Sequence, residues 1–173
     1  MRYDISEMSL SPDACSAVLV PRQMTLAEVP EVALLESEVS LSPWSQEIFR
    51  DCLQAPHHCS VIRSDRLIGY AVMSVAAEEA HLLNIAIAPQ EQGKGYGGRL
   101  LRFLLQVAAE EGARRIFLEV RPSNGRAQDM YRQHGFELLH VRRDYYGNPF
   151  REDALVLALD LIQSDRYPNL QPY

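Results

Sequence analysis

The sequence predicts an α/β protein built on one mixed sheet. Apolar residues recur at helical spacing near the N-terminus and again after a glycine cluster at residues 92–98. Between these regions the period changes to two, and strand-like runs follow each later helix. This order predicts a meander of three strands and then two helix–strand crossovers, all in one sheet.

A chain of 173 residues can bury a core as a single domain. We assign residues 1–15 to a polar N-terminal arm, residues 16–162 to the domain and residues 163–173 to a C-terminal tail. No internal repeat or second domain is evident in the pattern.

The N-terminal part of the domain predicts two short helices. Residues 17–20 form an apolar run that we assign to an edge strand. Thr25 and Glu28 make a capping-box pattern at the start of the first helix. Pro43-Trp44-Ser45 separates it from the second helix, which Pro56 closes.

The remaining elements follow from changes of period and from turn residues. His57-His58 is interpreted as the start of a strand rather than as a pair of metal ligands. Gly112 stops the helix after the glycine cluster, and Gly135 lies just past the next one. The expected strands are residues 60–63, 67–75, a run ended by Pro89, 116–120, 136–141 and 154–159.

Composition limits the classes of function. A net charge of −6 argues against nonspecific nucleic-acid binding, which depends on Lys and Arg. No apolar stretch is long enough to cross a bilayer, and the first twenty residues do not resemble a signal peptide, so we expect a cytoplasmic protein. Three cysteines without CxxC spacing and five histidines without HExxH predict neither disulfides nor a metal.

The segment Gln92-Gly93-Lys94-Gly95-Tyr96-Gly97-Gly98 contains four glycines at a predicted strand–helix junction. Glycine adopts positive φ and lets the backbone approach a ligand closely. The unpaired N–H groups of a helix start, together with its dipole, favour a phosphate or pyrophosphate. A merely flexible loop explains this density of glycines poorly, so we predict a phosphate-binding loop.

A dinucleotide-binding loop is one interpretation of this cluster. Gly93, Gly95 and Gly98 match GxGxxG, and Glu119 stands about twenty residues further on. However, the polar residues 89–92 separate the strand from the first glycine, and the preceding strands form a meander rather than βαβ units. Only about 75 residues follow, too few for the rest of a doubly wound sheet. The absence of GK[ST] excludes a lysine-containing phosphate loop.

The template Gln/Arg-x-x-Gly-x-Gly/Ala fits better and is present as Gln92-x-x-Gly95-x-Gly97. It resembles the acetyl-CoA pyrophosphate loop of the GNAT superfamily of N-acetyltransferases. That resemblance implies a mixed central sheet of about six to seven strands flanked by helices. It also implies pairing of the pantetheine arm with the strand Ile85-Ala86-Ile87, and pyrophosphate binding by backbone N–H groups of Gly93, Lys94, Gly95, Tyr96, Gly97 and Gly98.

A longer series of motifs narrows the resemblance. It comprises Pro43-Trp44-Ser45, Asn84–Ile87, Leu118–Arg121, Ser123-Asn124, Tyr131, Gly135-Phe136, Arg142–Tyr146 and Arg151–Ala154. Over about Arg22 to Leu161, the chain closely resembles the bacterial ribosomal-protein alanine N-acetyltransferases. The resemblance implies acetylation of a protein N-terminus, in particular the N-terminal alanine of a basic small-subunit ribosomal protein. The N-terminal arm and the C-terminal tail depart from the family pattern.

Two residues are predicted to move protons. Glu119 lies in the apolar strand 116–120, where partial burial would make it a stronger general base. The alternative is a solvent-facing carboxylate paired with Arg121, and the resemblance favours the base. Tyr131, on the next helix, would protonate the leaving thiolate; the alternative is a packed aromatic beside Phe136.

Three further residues have open assignments. Ser123 is expected to cap the helix that carries Tyr131. Asn124, beside it, would hydrogen-bond the cofactor, or it would act as a second helix cap. Tyr145 and Tyr146 lie between the last two strands, where the family closes over the peptide, and are either substrate contacts or ordinary strand aromatics.

The acceptor amine also has alternatives. A GNAT enzyme acting on a lysine or a small amine is the second possibility. A CoA-binding module without transfer is the third, and Glu119 and Tyr131 argue against it. Because an α-amine titrates near 7.7–8.0 and a lysine near 10.4, neutralising the lysine at pH 7 costs about 3 kcal/mol more. The net charge of −6 suits a basic acceptor through attraction that is screened within about 8 Å.

Overall fold

The computed structural model describes residues 19–147 and 151–161. In these residues seven strands form one sheet in the order β1-β2-β3-β4-β5-β7-β6. The strands are β1 (Arg22–Gln23), β2 (His57–Arg63), β3 (Leu67–Ala76), β4 (Glu79–Ile87), β5 (Arg115–Val120), β6 (Glu137–Tyr146) and β7 (Glu152–Asp160). The helices are α1 (Val29–Val39), α2 (Gln46–Gln54), α3 (Tyr96–Glu110) and α4 (Gly125–Gln133), with 3-10 turns at Leu26–Glu28 and Pro89–Glu91.

The topology confirms a mixed α/β sheet and shows a strand order at its end that the sequence left open. Strands β1 to β4 are antiparallel neighbours, and α3 returns the chain so that β5 lies parallel to β4. The second crossover does not place β6 beside β5. Instead β7 inserts between them and is antiparallel to both. The hydrophobic pattern cannot reveal this order, because it says which residues are buried but not which strands are neighbours.

Helices cover both faces of the sheet. The α3 face packs α3 and α4 on the central strands, with Leu100 and Leu104 against Ile116 and Leu118. The α1 face packs the two N-terminal helices on β2 and β3; its buried residues include Val29, Val32, Phe49, Tyr70 and Val72.

The N-terminal segment follows the prediction with one correction. The capping box of Thr25 and Glu28 is present, although it opens a 3-10 turn ahead of α1. Leu19 and Val20 are not a strand, while residues 17–18 lie outside the described residues. The edge strand begins after Pro21, which has no N–H to donate to a ladder.

Two local expectations, the starts of β2 and α2, are confirmed. His57 is the first residue of β2, as predicted. The Ser45 hydroxyl oxygen accepts from the Ile48 amide at the start of α2. Cys52 and Cys59 are buried and free. No described helix is long and apolar enough to cross a membrane.

Glu28 ties the first turn of the domain to the sheet edge. This buried carboxylate accepts hydrogen bonds from Arg22 at 2.7 Å and Arg63 at 2.9 Å. The backbone amide and the hydroxyl of Thr25 both donate to its other oxygen at 2.9 Å. The hydrogen bond from Arg22, supported by Thr25 and Arg63, holds the pKa of Glu28 well below its usual range.

Replacement of this carboxylate should give a pH-dependent loss of stability. We expect Glu28→Gln to lower the free energy of unfolding at pH 7 by about 1–3 kcal/mol, because charge-assisted hydrogen bonds are lost. A depressed folded-state pKa stabilises fully above the unfolded value of 4.5, and this contribution is lost as the pH falls below it. Urea unfolding should therefore show the difference from wild type shrinking between about pH 5 and about pH 3. The exposed Glu38→Gln is the control, and a Glu28→Gln difference that does not change with pH would contradict this account.

Candidate active site

The ladder between β4 and β5 covers only part of their length, and the gap beyond it is called the cleft here. Pairing runs from Glu79 to Leu82 of β4, whereas β4 itself continues to Ile87. Leu83 has no partner on β3, where the register shifts by one residue, and is therefore a β-bulge. A bulge bends a strand and increases its twist. Beyond Leu82 the two strands are no longer neighbours.

The separated end of β4 provides a half-buried strand edge. Ile85 and Ile87 pack toward the α3 face, and Ala86 packs toward the α1 face. The backbone of β4 on the β5 side is not paired with that strand here. An extended ligand can add to such an edge as a strand does. The structure thus brings the predicted residues Ile85, Ala86 and Ile87 to the wall of the cleft.

The glycine loop leads from this strand into α3. Gly93 and Gly95 have φ values of 80° and 85°, which only glycine adopts readily. The Arg99 amide is bonded to the Gly95 carbonyl at 3.1 Å, so the amides of residues 96–98 precede the hydrogen-bonded part of the helix. The first turn of α3 carries no acidic residue. These features fit a pyrophosphate.

Gly97 and Gly98 have a different reason to be glycine. A Cβ on Gly97 would lie 3.0 Å from the Met130 sulfur, and one on Gly98 would lie 3.2 Å from His134. Both glycines therefore let α4 pack closely against the start of α3. The sequence pattern assigned all four glycines to ligand binding and did not reveal this packing.

The side chain of Lys94 is held by the protein. Its ammonium lies 3.0 Å from Glu91, a buried carboxylate that also accepts from Arg66 at 2.5 Å. Arg126 of α4 donates to Gln92 at 2.8 Å and Gln92 donates to the Ile87 carbonyl at 3.0 Å. The loop is thus fixed to the strand before it and the helix beside it.

Glu119 lies on β5 just past the last residue that pairs with β4. It faces away from the buried Leu118 and therefore toward the α1 face. The expected partial burial is wrong, because Glu119 is exposed. The suggested pairing with Arg121 is also wrong. Arg142 donates to Glu119 at 3.0 Å, while Arg121 pairs with Glu152 at 3.2 Å.

Tyr131 lies on the other face of the sheet and is 4% exposed. Its ring centroid is 5.6 Å from that of Phe136, so the packed-aromatic interpretation is confirmed. Burial, and to a lesser extent Tyr146, raises the pKa of Tyr131 well above its usual range. The phenol is therefore protonated at neutral pH, as a proton donor must be. Its role as the acid stays a prediction.

Tyr146, the last residue of β6, has a raised pKa. Burial raises its pKa to about 12, with Glu119 among the smaller causes, and Tyr146 in turn affects Tyr131. The guanidinium of Arg121 lies 3.8 Å from the Tyr146 ring centroid, and that of Arg142 lies 4.3 Å from the Tyr145 ring. Sequence reasoning missed Arg142 as the partner of Glu119, because the two residues are on strands separated by β7.

The start of α4 corrects another assignment. Asn124, not Ser123, is the cap, since its side-chain oxygen accepts from the Ala127 amide at 3.1 Å. Ser123 instead donates to Glu152 through its amide at 2.7 Å and its hydroxyl at 3.1 Å. The helix-cap interpretation of Asn124 is thus confirmed, and its predicted contact with the cofactor stays a prediction.

Within residues 19–147 and 151–161, no group of three or more His, Cys, Asp or Glu residues could hold a metal ion. The arrangement provides a helix start whose first amides precede its hydrogen-bonded part, a strand edge beyond the β4–β5 ladder, an exposed carboxylate and a buried phenol.

Comparison with known proteins identifies the family. Residues 26–136 match the model of the acetyltransferase (GNAT) family, which is more than half of the chain. The chain belongs to the GNAT family of N-acetyltransferases. The cleft and the glycine loop lie within the matched residues or at their edge.

Relatives of this GNAT chain include proteins with named substrates. A Haemophilus influenzae protein named as a ribosomal protein bS18-alanine N-acetyltransferase is 35% identical over 127 residues, 72% of this chain and 86% of its own length. The crystal structure of the ribosomal-protein-S18-alanine N-acetyltransferase from Escherichia coli has a TM-score of 0.76 at 29% identity, covering 82% of this chain and 93% of that one. A Bacillus subtilis acetyltransferase in complex with CoA shares the fold, with a TM-score of 0.65 at 22% identity and 82% and 98% coverage.

Two glycine replacements should distinguish a loss of acetyl-CoA affinity from the backbone strain that both variants share. We expect Gly95→Val to weaken acetyl-CoA binding in calorimetry by at least about tenfold, because valine disfavours the positive φ that aims the loop amides. Gly112→Val is the matched control, since Gly112 has a φ of 81° at the opposite end of α3. Both variants should lose similar stability, and only Gly95→Val should lose affinity.

Unchanged acetyl-CoA affinity in folded Gly95→Val would contradict the assignment of residues 93–98 as the pyrophosphate-binding loop. Tight, saturable NADH binding by the wild type would instead support the dinucleotide interpretation.

Proposed function

We propose that this chain transfers the acetyl group of acetyl-CoA to the N-terminal α-amine of a protein, with the N-terminal alanine of a small-subunit ribosomal protein as the acceptor. One observation supports the proposal: where β4 and β5 separate, the glycine-rich start of α3 follows β4, and Glu119 lies on β5 just past the last β4–β5 pair. The names of the relatives support the acceptor. A ribosomal acceptor implies a cytoplasmic enzyme that acts without nucleic acid or membrane as its target.

The donor would occupy the α3 side of the cleft. The amides of residues 93–98 would hold the pyrophosphate, and the edge of residues 85–87 would pair with the pantetheine arm. The strand edge and the loop follow one another along the chain, and the β4–β5 ladder ends at Leu82 before both of them. Asn124 would add a contact only through the amide nitrogen that its capping oxygen leaves available.

The acceptor would approach from the α1 face. Glu119 is exposed there and pairs with Arg142, so the carboxylate already accommodates a cationic group. An α-ammonium in the same position would give its proton to Glu119 directly or through one water. Because an α-amine titrates near 7.7–8.0, an exposed carboxylate needs to supply only a modest driving force.

Tyr131 would act on the opposite side of the cleft. Burial keeps its phenol protonated, and the same surroundings make a thiolate formed there a stronger base than in water. In this scheme the phenol would give its proton to the leaving sulfur, and the resulting phenolate would regain a proton before the next turnover. Proton removal and delivery would take place on opposite faces of one sheet.

Conservative replacement of the two proton-transfer residues should lower turnover without affecting the donor. We expect Glu119→Gln and Tyr131→Phe to reduce kcat by about 10²–10⁴-fold, the usual range for general acid–base roles. Affinity for acetyl-CoA in calorimetry should change little. Glu79→Gln is a matched control, because Glu79 is an exposed glutamate at the far end of β4. Wild-type kcat in both folded variants would refute this scheme.

The acceptor is tested with a pair of basic peptides. We expect a peptide beginning with Ala to be acetylated faster than the same peptide blocked at its N-terminus with its lysines free. The physical reason is the lower cost of neutralising the α-amine, about 3 kcal/mol at pH 7. Mass spectrometry locates the added acetyl group. Equal or faster modification of the blocked peptide would favour a lysine acetyltransferase, and modification of neither peptide would favour a small-amine acceptor or a binding module.

A further inference from the structure

A buried carboxylate on α1 has a place in this structure that neither the fold nor the proton-transfer scheme uses. Glu36 is 2% exposed. Its Oε2 accepts from the Tyr70 hydroxyl at 2.5 Å, and its Oε1 accepts from the Trp44 backbone amide and the Asn84 side chain, each at 3.2 Å. Burial and the nearby Glu36 charge raise the pKa of Tyr70 well above its usual range, so Tyr70 remains a donor.

Glu36 has no cationic partner among the ion pairs of the described residues. Burying a carboxylate without a cationic partner costs free energy of folding unless several hydrogen-bond donors contact it. An apolar residue would fill the same space without that cost. The arrangement is therefore better explained by what Glu36 orients than by the stability that it adds.

The groups that Glu36 holds lie at the acceptor end of the cleft. Asn84 is the first residue of β4 after the Leu83 bulge, and its contact with α1 places it on the α1 face. Glu119 occupies the corresponding place on β5, on the same face and just past the last β4–β5 pair. Trp44 belongs to the loop between α1 and α2, which covers this face.

The donor side of the cleft is held by other residues. The glycine loop is fixed by Glu91, Gln92 and Arg126, and Ile85 and Ile87 pack toward the α3 face. None of these contacts involves Glu36. A change at Glu36 should therefore affect one substrate and leave the other unchanged.

We propose that Glu36 is a positioning residue for the acceptor: through Asn84 and the Trp44 amide it sets the wall of the cleft against which the protein N-terminus lies. This proposal rests on the proposed function, because it assigns the acceptor to the α1 face. Glu36 does not touch the reacting atoms. It acts by fixing the separated end of β4 and the α1–α2 loop at one distance from each other.

The test compares two substitutions of Glu36 in steady-state kinetics with both substrates varied. Glu36→Ala releases Asn84 and the Trp44 amide, and we expect the KM for the Ala-initiated peptide to rise at least about tenfold. The KM for acetyl-CoA should stay within about twofold. Glu36→Gln keeps an oxygen for Trp44 and Asn84, and its amide can donate to the Tyr70 oxygen. The peptide KM of Glu36→Gln should therefore stay within about threefold of wild type.

Two controls separate positioning from general effects. Glu38→Ala removes an exposed negative charge from the same helix and should leave both KM values unchanged. Circular dichroism and thermal unfolding establish that each variant is folded. If Glu36→Ala does not fold, Glu36→Asp replaces it, because a side chain one methylene shorter keeps the charge but loses the reach to Asn84.

The outcomes are distinct. A selective rise in peptide KM that glutamine rescues supports the proposal. An unchanged peptide KM in Glu36→Ala, a parallel rise in both KM values, or a defect in Glu36→Gln equal to that in Glu36→Ala would overturn it. Wild-type α-acetylation is measured in the same assay, so its absence would identify a failure of the proposed function rather than of the role of Glu36.

Discussion

The separation of β4 from β5 is the constraint on which the rest of the site depends. The two central strands pair over four residues and then diverge at a bulge, which leaves a gap where a sheet is normally closed. A gap in a sheet exposes backbone polar groups, which must find partners in a ligand or in water. The glycine loop begins at one end of this gap, and Glu119 and Asn84 lie at the other. The separation of β4 from β5 therefore determines where each of these groups lies.

The two faces of the sheet differ in how far helices cover them. Helices α3 and α4 pack on one face, where Tyr131 is buried beside Phe136. Helices α1 and α2 cover β2 and β3 on the other face and stop short of β5, so Glu119 stays exposed. A phenol keeps its proton best in an apolar environment. A carboxylate that is to be ionised is favoured at the surface instead. One sheet with unequal cover on its two sides supplies both.

The sequence pattern was sufficient for the local elements and for the glycine loop. Caps, turns and periods depend on neighbouring residues, so Thr25, Ser45 and His57 could be assigned directly. The partners of charged residues could not be assigned in this way. Arg121, two residues along in sequence, was considered as an alternative partner of Glu119. The partner is instead Arg142 on β6, which β7 separates from β5. The cap assigned to Ser123 was wrong and the Glu36 cluster was missed for a related reason. Both depend on which polar residue a distant element bonds.

The position of β7 also determines when the site can exist. This strand follows every other described element in the chain, yet it lies between β5 and β6 and holds them together. Until residues 152–160 have left the ribosome, β5 has no neighbour on that side, and Arg142 has no fixed place beside Glu119. Pairings between segments far apart in the chain form late in folding. A nascent copy of this protein can therefore form its glycine loop before β7 has emerged, whereas Glu119 gains Arg142 as its partner only afterwards.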